Sequence, residues 1–336
     1  MKITQIRLGK LSVPLRTPFK TALRTVDRVE DIVVELHTDT GAVGYGEAPP
    51  TGPITGDTTG GIVGGILELI APALLGPEDL YGQLHQIPVH KLLGGARRTL
   101  VTDLTISVNP PEQMARDARE AVARGYDCLK VKVGADPTLD TARLAAVRKA
   151  VGRDVCIRID ANQAWTPRQA VRILNEMQDK GLELELVEQP VPAGDLEGLA
   201  YVTRHSWVPV MADESVFSPA DALRIFQSRA ADYINIKLMK CGGLTGALRI
   251  AAAAEIYGVE CMIGCMLEAK IAVNAAVELA CARSIITRVD LDGPVLCSAD
   301  PVEGGARFDE RNITVSDAPG MGIQGIQPGY LTYLSV

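Results

Sequence analysis

CLKVKVG at 128–134, CIRIDANQAW at 156–165, LELVEQP at 184–190, VPVMADES at 208–215 and YINIKLMK at 233–240 form a series of short β-branched runs, each closing on a charged residue. Runs of this length separated by amphipathic helical stretches indicate strand–helix units laid side by side as a parallel sheet. Extending the rhythm in both directions gives eight expected strands: Val101–Val108, Cys128–Val133, Val155–Asp160, Leu184–Glu188, Val208–Asp213, Tyr233–Lys237, Val259–Gly264 and Arg288–Asp292. Eight such strands favour a closed α/β barrel, with a doubly wound open sheet as the rival. Helices are expected over Pro111–Arg124, Leu139–Val151, Pro167–Lys180, Asp195–His205, Pro219–Ser228, Leu244–Tyr257 and Ala269–Ala282. Several begin at proline, whose fixed φ and missing N–H suit a first helical turn.

Ahead of the barrel, Ile3–Val13 and Ile32–Thr38 alternate as antiparallel strands do, and Ile62–Leu75 has a helical pattern. Residues 1–98 are therefore expected to form a small α+β capping domain, 99–298 the barrel, and 299–336 a Gly- and Pro-rich tail returning to the cap. With 47% hydrophobic residues in 336, a large core is available. The net charge of −7, without a basic run, argues against nucleic acid and anionic membranes as partners. No apolar run approaches the roughly 20 residues of a bilayer span, and the start of the chain lacks a signal-peptide pattern, so a cytoplasmic location is expected. Seven cysteines without a CxxC pair suit buried, reduced thiols. The four scattered histidines form no zinc motif. A homo-oligomeric state is left open.

The charges carry the chemistry. Lys130 and Lys132, Asp160, Glu188, Asp213, Lys237, and Asp290 with Asp292 fall at the carboxyl ends of expected strands, which a barrel gathers on one rim. Asp160, Glu188 and Asp213 come from three consecutive strands, and an all-oxygen set suits a hard cation, magnesium or manganese, with magnesium favoured. Lys132 and Lys237 close the second and sixth strands and so face each other across the mouth. Two amines on opposite sides of a substrate are what inversion of a carbon next to a carboxylate requires, one removing a proton and the other returning it. Nearby cations would lower a lysine pKa toward the useful range. Lys130 lies on the same strand face as Lys132 and is expected to stabilise negative charge.

With these residues in view, LKVKVG, RIDANQAW, VEQP, MADES and INIKLMKCGG resemble the muconate-lactonizing subgroup of the enolase superfamily over nearly the whole chain, GAVGYGEAPP at 41–50 and PGMGI at 319–323 included. The resemblance implies a (β/α)7β TIM-like barrel under an α+β capping domain, a Mg2+ ion on Asp160, Glu188 and Asp213, and Lys132 and Lys237 as the paired acid and base, with Lys240 outside the pattern. VDLDGP is similar to the element that holds the substrate α-ammonium in dipeptide epimerases, which assigns that role to Asp290 and Asp292. Alternate residues of a strand share a face, so both carboxylates could clasp one ammonium. PFKTALRTV at 18–26 and ITGD at 54–57 resemble the substrate-covering loops of epimerases acting on alanyl-glutamate, implying that Arg24 grips a glutamate side chain, as its planar fork suits.

One departure stands out: between Leu84 and Leu92 the chain has only HQIPVHK, roughly thirty residues fewer than the family pattern. The expected activity is therefore epimerisation of an L-Ala-D/L-Glu type dipeptide, as in recycling of cell-wall peptide. The alternatives are N-acylamino acid racemisation, o-succinylbenzoate formation, cycloisomerisation, or a catalytically silent barrel. Asn162, Glu214 and Glu268 are further candidates for polar contacts near the metal or substrate.

Overall fold

The computed structural model describes residues 1–70, 78–95 and 97–334. Eight parallel strands form one sheet in strictly sequential order: Leu104–Ile106, Cys128–Lys132, Cys156–Asp160, Leu184–Glu188, Val210–Ala212, Tyr233–Ile236, Cys261–Gly264 and Ile286–Asp290. The first and last strands meet where the Asp103 N–H donates to the Val289 carbonyl at 3.3 Å. This near-closed barrel excludes the open doubly wound alternative, whose strand order must reverse.

Seven long helices link the eight strands, from Pro111–Ala123 to Lys270–Ala282. Their starts are set by local chemistry. Asp136 and Ser218 cap the helices that begin at Pro137 and Pro219, and Thr166 with Gln169 forms a reciprocal capping box ahead of Pro167. Apolar residues between strands and helices make the main core, while Leu186, Met211 and Met262 form a separate apolar group inside the barrel. That inner layer lies below the charged residues at the strand ends.

Two expected strands differ. The stretch from Val101 to Val108 is split: Thr99–Val101 leaves the barrel to pair with Asn312–Thr314, and only Leu104–Ile106 joins the barrel. Buried Thr102 and Asp103 make the break by bonding across to the last strand, Thr102 through its Oγ1 to the Leu291 N–H at 2.8 Å. The last strand ends at Asp290 rather than Asp292, because Gly293–Leu296, with proline in its first turn, starts a short helix that has Asp292 as its N-cap. Asp290 and Asp292 are therefore not alternate residues of one strand.

The capping sheet is a long hairpin, Ile3–Lys20 with Thr25–Thr38, flanked by Val43–Ala48 and by the tail strand Leu331–Tyr333. Pro18–Val26, expected as a free loop, is the tip of this hairpin, with Phe19 paired to Val26. Of the helix expected over Ile62–Leu75, the structure has Thr59–Gly65 followed by a wider turn over Ile66–Ile70, and 71–75 lie outside the described residues.

HQIPVHK joins the helix Glu78–His85 directly to the turn Val89–Leu92. Gln86 turns the chain at positive φ. Ile87 and Val89 exchange backbone hydrogen bonds with Gly320, at 3.0 and 2.9 Å. Gly320 itself has φ +68° and would set a Cβ against Asp79, so glycine is required there. Among the described residues no helix is long and apolar enough to cross a membrane.

Candidate active site

Second-strand residues Cys128, Lys130 and Lys132 alternate onto the barrel interior, as do Cys156, Arg158 and Asp160 on the third. The fourth strand ends at Glu188. Asp213 follows the fifth at Ala212, and Lys237 follows the sixth at Ile236. All of these strand-end acids and lysines are buried. Lys132 and Lys237 stand four strands apart in an eight-stranded barrel, with the three carboxylate-bearing strands between them, and both line one cavity at the mouth.

The lysines are interleaved with the acids. Lys132 Nζ lies 2.6 Å from Asp160 Oδ2, and Lys237 Nζ lies 2.8 Å from Asp213 Oδ2 and 4.0 Å from Glu188 Oε1. Lys130 Nζ is central, 2.7 Å from both Glu188 Oε2 and Asp290 Oδ2 and 3.3 Å from Asp160 Oδ2. Burial alone would lower the Lys130 pKa, but Asp290, Glu188, Asp160 and Asp213 outweigh it and hold the ammonium well above its ordinary value. Lys237 is raised too, because Asp213 and Glu188 overcome burial and the repulsion of Lys130. The downward shift expected from neighbouring cations is thus not produced by the protein groups alone.

Among the acids, burial opposes ionisation, yet Lys132 and Lys130 hold Asp160 below the usual carboxylate range, and Lys237 and Lys240 hold Asp213 well below it. Two acids go the other way. Burial, with repulsion from Asp160 and Asp213, pushes Glu188 up to about 8, and burial with the same two neighbours pushes Glu214 to about 7. The cause is a charge imbalance: Asp160, Glu188, Asp213, Glu214, Asp290 and Asp292 face Lys130, Lys132, Lys237 and Lys240, two carboxylates in excess.

The chemistry of this donor set fits one divalent cation. It is all oxygen, its surplus charge matches, and Glu188 Oε2 has no aligned hydrogen-bond donor despite the nearby Lys130. Asp160, Glu188 and Asp213 are the residues that could hold the ion. Lysine ammonium groups now stand among them, and their oxygens do not all close to within 4.8 Å of one another.

Asp290 and Asp292 both line the cavity. Asp290 already bonds Lys130, whereas Asp292 Oδ2 accepts the Thr105 N–H at 2.7 Å. Burial and the Asp290 charge push Asp292 up to about 6. Arg288, on the last strand, points away from them and reaches Glu185 and Glu260 at the opposite end of the barrel. Of the four cations near the hairpin tip, Arg24 lines the cavity, while Arg16 bonds the Cys297 carbonyl, Lys20 bonds Asn109 and Arg28 bonds Ser12. Burial lowers the Arg24 pKa against the attraction of Asp31, and its Nε has no partner.

Asn162 donates to Asp160 Oδ2 at 3.3 Å and to Glu214 at 3.4 Å. Glu268 Oε2 accepts the Met266 N–H at 2.8 Å and lines a neighbouring pocket rather than the mouth cavity. Two residues, Asn235 and Gln189, escaped the sequence reading, and Lys240, outside the family pattern, still reaches the site. Lys240 turns back one helical turn after Lys237 to bond the carbonyl and carboxylate of Asp213, Asn235 donates to Glu188 Oε1 at 2.9 Å, and Gln189 accepts the Asp213 N–H at 2.9 Å. The signal for Asn235 was present, since it precedes Lys237 by two residues and shares its face.

Comparison with known proteins covers most of the chain. Residues 3–79 match the model of the mandelate racemase / muconate lactonizing enzyme N-terminal domain, and residues 113–326 match that of the enolase C-terminal domain-like family. The chain is 53% identical to an L-Ala-D/L-Glu epimerase of Clostridium acetobutylicum, over 97% of this chain and 99% of that protein. The alignment runs over 356 positions although this chain has 336 residues, so the relative carries residues absent here. The structure of a substrate-liganded complex of the L-Ala-D/L-Glu epimerase from Bacillus subtilis superposes with a TM-score of 0.95 at 44% identity, covering 97% and 99% of the two chains. A dipeptide epimerase from Enterococcus faecalis complexed with Mg and the dipeptide L-Leu-L-Tyr superposes at 0.92 with 40% identity, covering 97% and 100%.

Proposed function

The chain belongs to the mandelate racemase/muconate lactonizing enzyme family of the enolase superfamily, and from that premise we propose that it is a dipeptide epimerase inverting the α-carbon of the carboxyl-terminal residue, with L-Ala-D/L-Glu as its substrate and cell-wall peptide recycling as its setting. The observation that carries the reading is the placement of Lys132 and Lys237 across the barrel, with the Asp160, Glu188 and Asp213 strands between them. The division into cap (1–98), barrel (99–298) and tail (299–336) is part of the proposal. The pairing of Leu331–Tyr333 with the first strand supports it.

Asp160, Glu188 and Asp213 would hold Mg2+. When bound, the ion neutralises charge building on the substrate carboxylate as the α-proton leaves. Lys132 and Lys237 address that proton from opposite sides: one, neutral, removes it, and the other, as ammonium, returns one to the far face. A divalent ion among the carboxylates would withdraw the attraction that now raises Lys237, releasing its pKa toward the working range. Lys130 stays charged and adds positive potential beneath the carboxylate. Asp292, with Asp290, receives the substrate ammonium at the last strand, and Arg24 receives the acidic side chain from the hairpin tip. Burial of the strand-end lysines and acids, Asp290 and Asp292 included, keeps water from competing for these bonds.

The test is to incubate L-Ala-L-Glu with the protein and magnesium in deuterated water. Deuterium should enter the glutamyl α-carbon as the D-epimer appears, and chelation should stop both. Solvent deuterium absent from that carbon, with folded protein and magnesium supplied, would refute the proposal.

A further inference from the structure

We propose that the end of the barrel where the strands begin, opposite the mouth, is a second cation site, a thiophilic one taking zinc on Cys128, Cys156 and Glu185. Among the described residues these are the one group of His, Cys, Asp or Glu whose ligand atoms all lie within 4.8 Å of one another. The fold builds the cluster. Cys128 and Cys156 begin the second and third barrel strands and are paired directly opposite in register, and both project inward with Lys130 and Arg158.

Glu185 arrives by an irregularity of the fourth strand. Ile157 pairs with Leu184 and Arg158 with Leu186, so Glu185 is the extra residue of a bulge. A bulge of this kind re-aims a side chain, here placing the carboxylate beside the thiols. Cys156 Sγ–H donates to Glu185 Oε2 at 3.1 Å.

Zinc bonds sulfur at about 2.3 Å and carboxylate oxygen at about 2.0–2.2 Å, which sets its ligand atoms roughly 3.5–3.8 Å apart, a spacing reachable by side-chain adjustment. Binding releases the two thiol protons to solvent and puts the ion where the Cys156 proton now bridges to Glu185. Two thiolates and one carboxylate leave one negative charge after a divalent ion binds. Arg158 and Arg288 are already there to meet it, donating through Nε to Glu185 Oε2 at 2.6 Å and Oε1 at 2.8 Å. Such outer partners orient a ligating carboxylate and tune its affinity. All three ligands are half-buried, so an ion can enter and a water can complete four-coordination.

The two ends of the barrel thus differ in softness. Thiolates reject magnesium, and the mouth is all oxygen. Leu186, Met211 and Met262 lie between them. The same three strands carry Lys132, Asp160 and Glu188 at one end and the thiol cluster at the other, so a bound ion would also tie their starts together.

The experiment uses the full-length, reduced protein in excess magnesium and titrates cobalt as the probe. One equivalent should produce a thiolate-to-cobalt charge-transfer absorption, removed by zinc and missing in Cys128→Ser and Cys156→Ser. Glu185→Gln should weaken zinc binding on the order of 10-fold or more. Absence of the band in the wild type, or its survival in either serine variant, would overturn the assignment. A second readout needs no variant: zinc should slow alkylation of Cys128 and Cys156 in the native protein, located by peptide mapping, and unchanged labelling of both would equally refute it.

Discussion

Replacing Glu278 with glutamine should flatten the pH dependence of stability. Glu278 lies on the helix Lys270–Ala282, fully buried, and its Oε2 meets both the backbone N–H and the ring Nδ1 of His90, the latter at 3.0 Å. Burial, with some repulsion from Asp79, pushes this carboxyl up to about 8, and burial pushes the His90 ring down, so the pair is neutral at pH 7. The folded state then holds a proton that the unfolded chain, with a carboxyl pKa near 4.3, has released. Stability from this group is complete below about pH 4 and is lost as pH rises to about 8. The loss comes to about 1 kcal/mol at pH 5 and about 3.5 kcal/mol at pH 7. Glutamine cannot ionise and keeps an oxygen for the His90 N–H. Urea unfolding at pH 5 and pH 7 should therefore show the Glu278→Gln variant gaining about 2.5 kcal/mol on the wild type across that interval. Parallel stability curves for the two proteins would refute a protonated Glu278.

The remaining predictions concern the mouth. Lys132→Ala and Lys237→Ala should each lower epimerisation by about 10²- to 10⁴-fold or more, while each variant still exchanges the α-proton of one epimer with solvent. Exchange of both epimers by either variant would contradict opposed bases. Asp292→Ala should cost about 1.5–3 kcal/mol in kcat/KM on Ala-Glu, the worth of a charged hydrogen bond, and unchanged kinetics would remove it from ammonium recognition. Arg24→Met should erase the preference for an acidic second residue, seen as equal kcat/KM for Ala-Glu and Ala-Leu, whereas a retained preference would place that recognition elsewhere.

Legibility followed periodicity. The barrel was readable because a strand buried on both faces announces itself as a β-branched run, and because a charge at its carboxyl end has few explanations other than a site. Asp160, Glu188 and Lys132 sit at or beside strand ends for that reason. Reading failed where a three-residue strand replaced a longer apolar run. Thr99–Val101 and Leu104–Ile106 look continuous in sequence, and only the bonds from Thr102 and Asp103 to the last strand divide them. Asp292 was misplaced for a similar reason: DGP following a strand also reads as a helix start, and the helix won. Lys240 and Gln189 act through turns whose backbone bends the side chain back toward Asp213, and strand or helix period does not report such a bend.

The short connection between Leu84 and Leu92 raises the question of whether the cap can still hold Arg24 over the mouth. Its docking does not run through that connection. Asp31 Oδ2 on the second hairpin strand accepts the Ala269 N–H at 3.3 Å, and Glu47 Oε2 on the next strand accepts the Ala272 N–H at 2.7 Å. Both bonds fall on the start of the helix Lys270–Ala282, where free N–H groups and the helix dipole favour carboxylates. A continuous apolar layer of Leu11, Val13, Val29, Val33, Leu267 and Ile271 lies alongside. The connection itself is sealed at the far end of this helix by His90 on Glu278 and by the Gly320 backbone bonds. The same helix therefore anchors the hairpin at its start and the shortened segment two turns later, so the missing residues leave the support of the Arg24 tip intact.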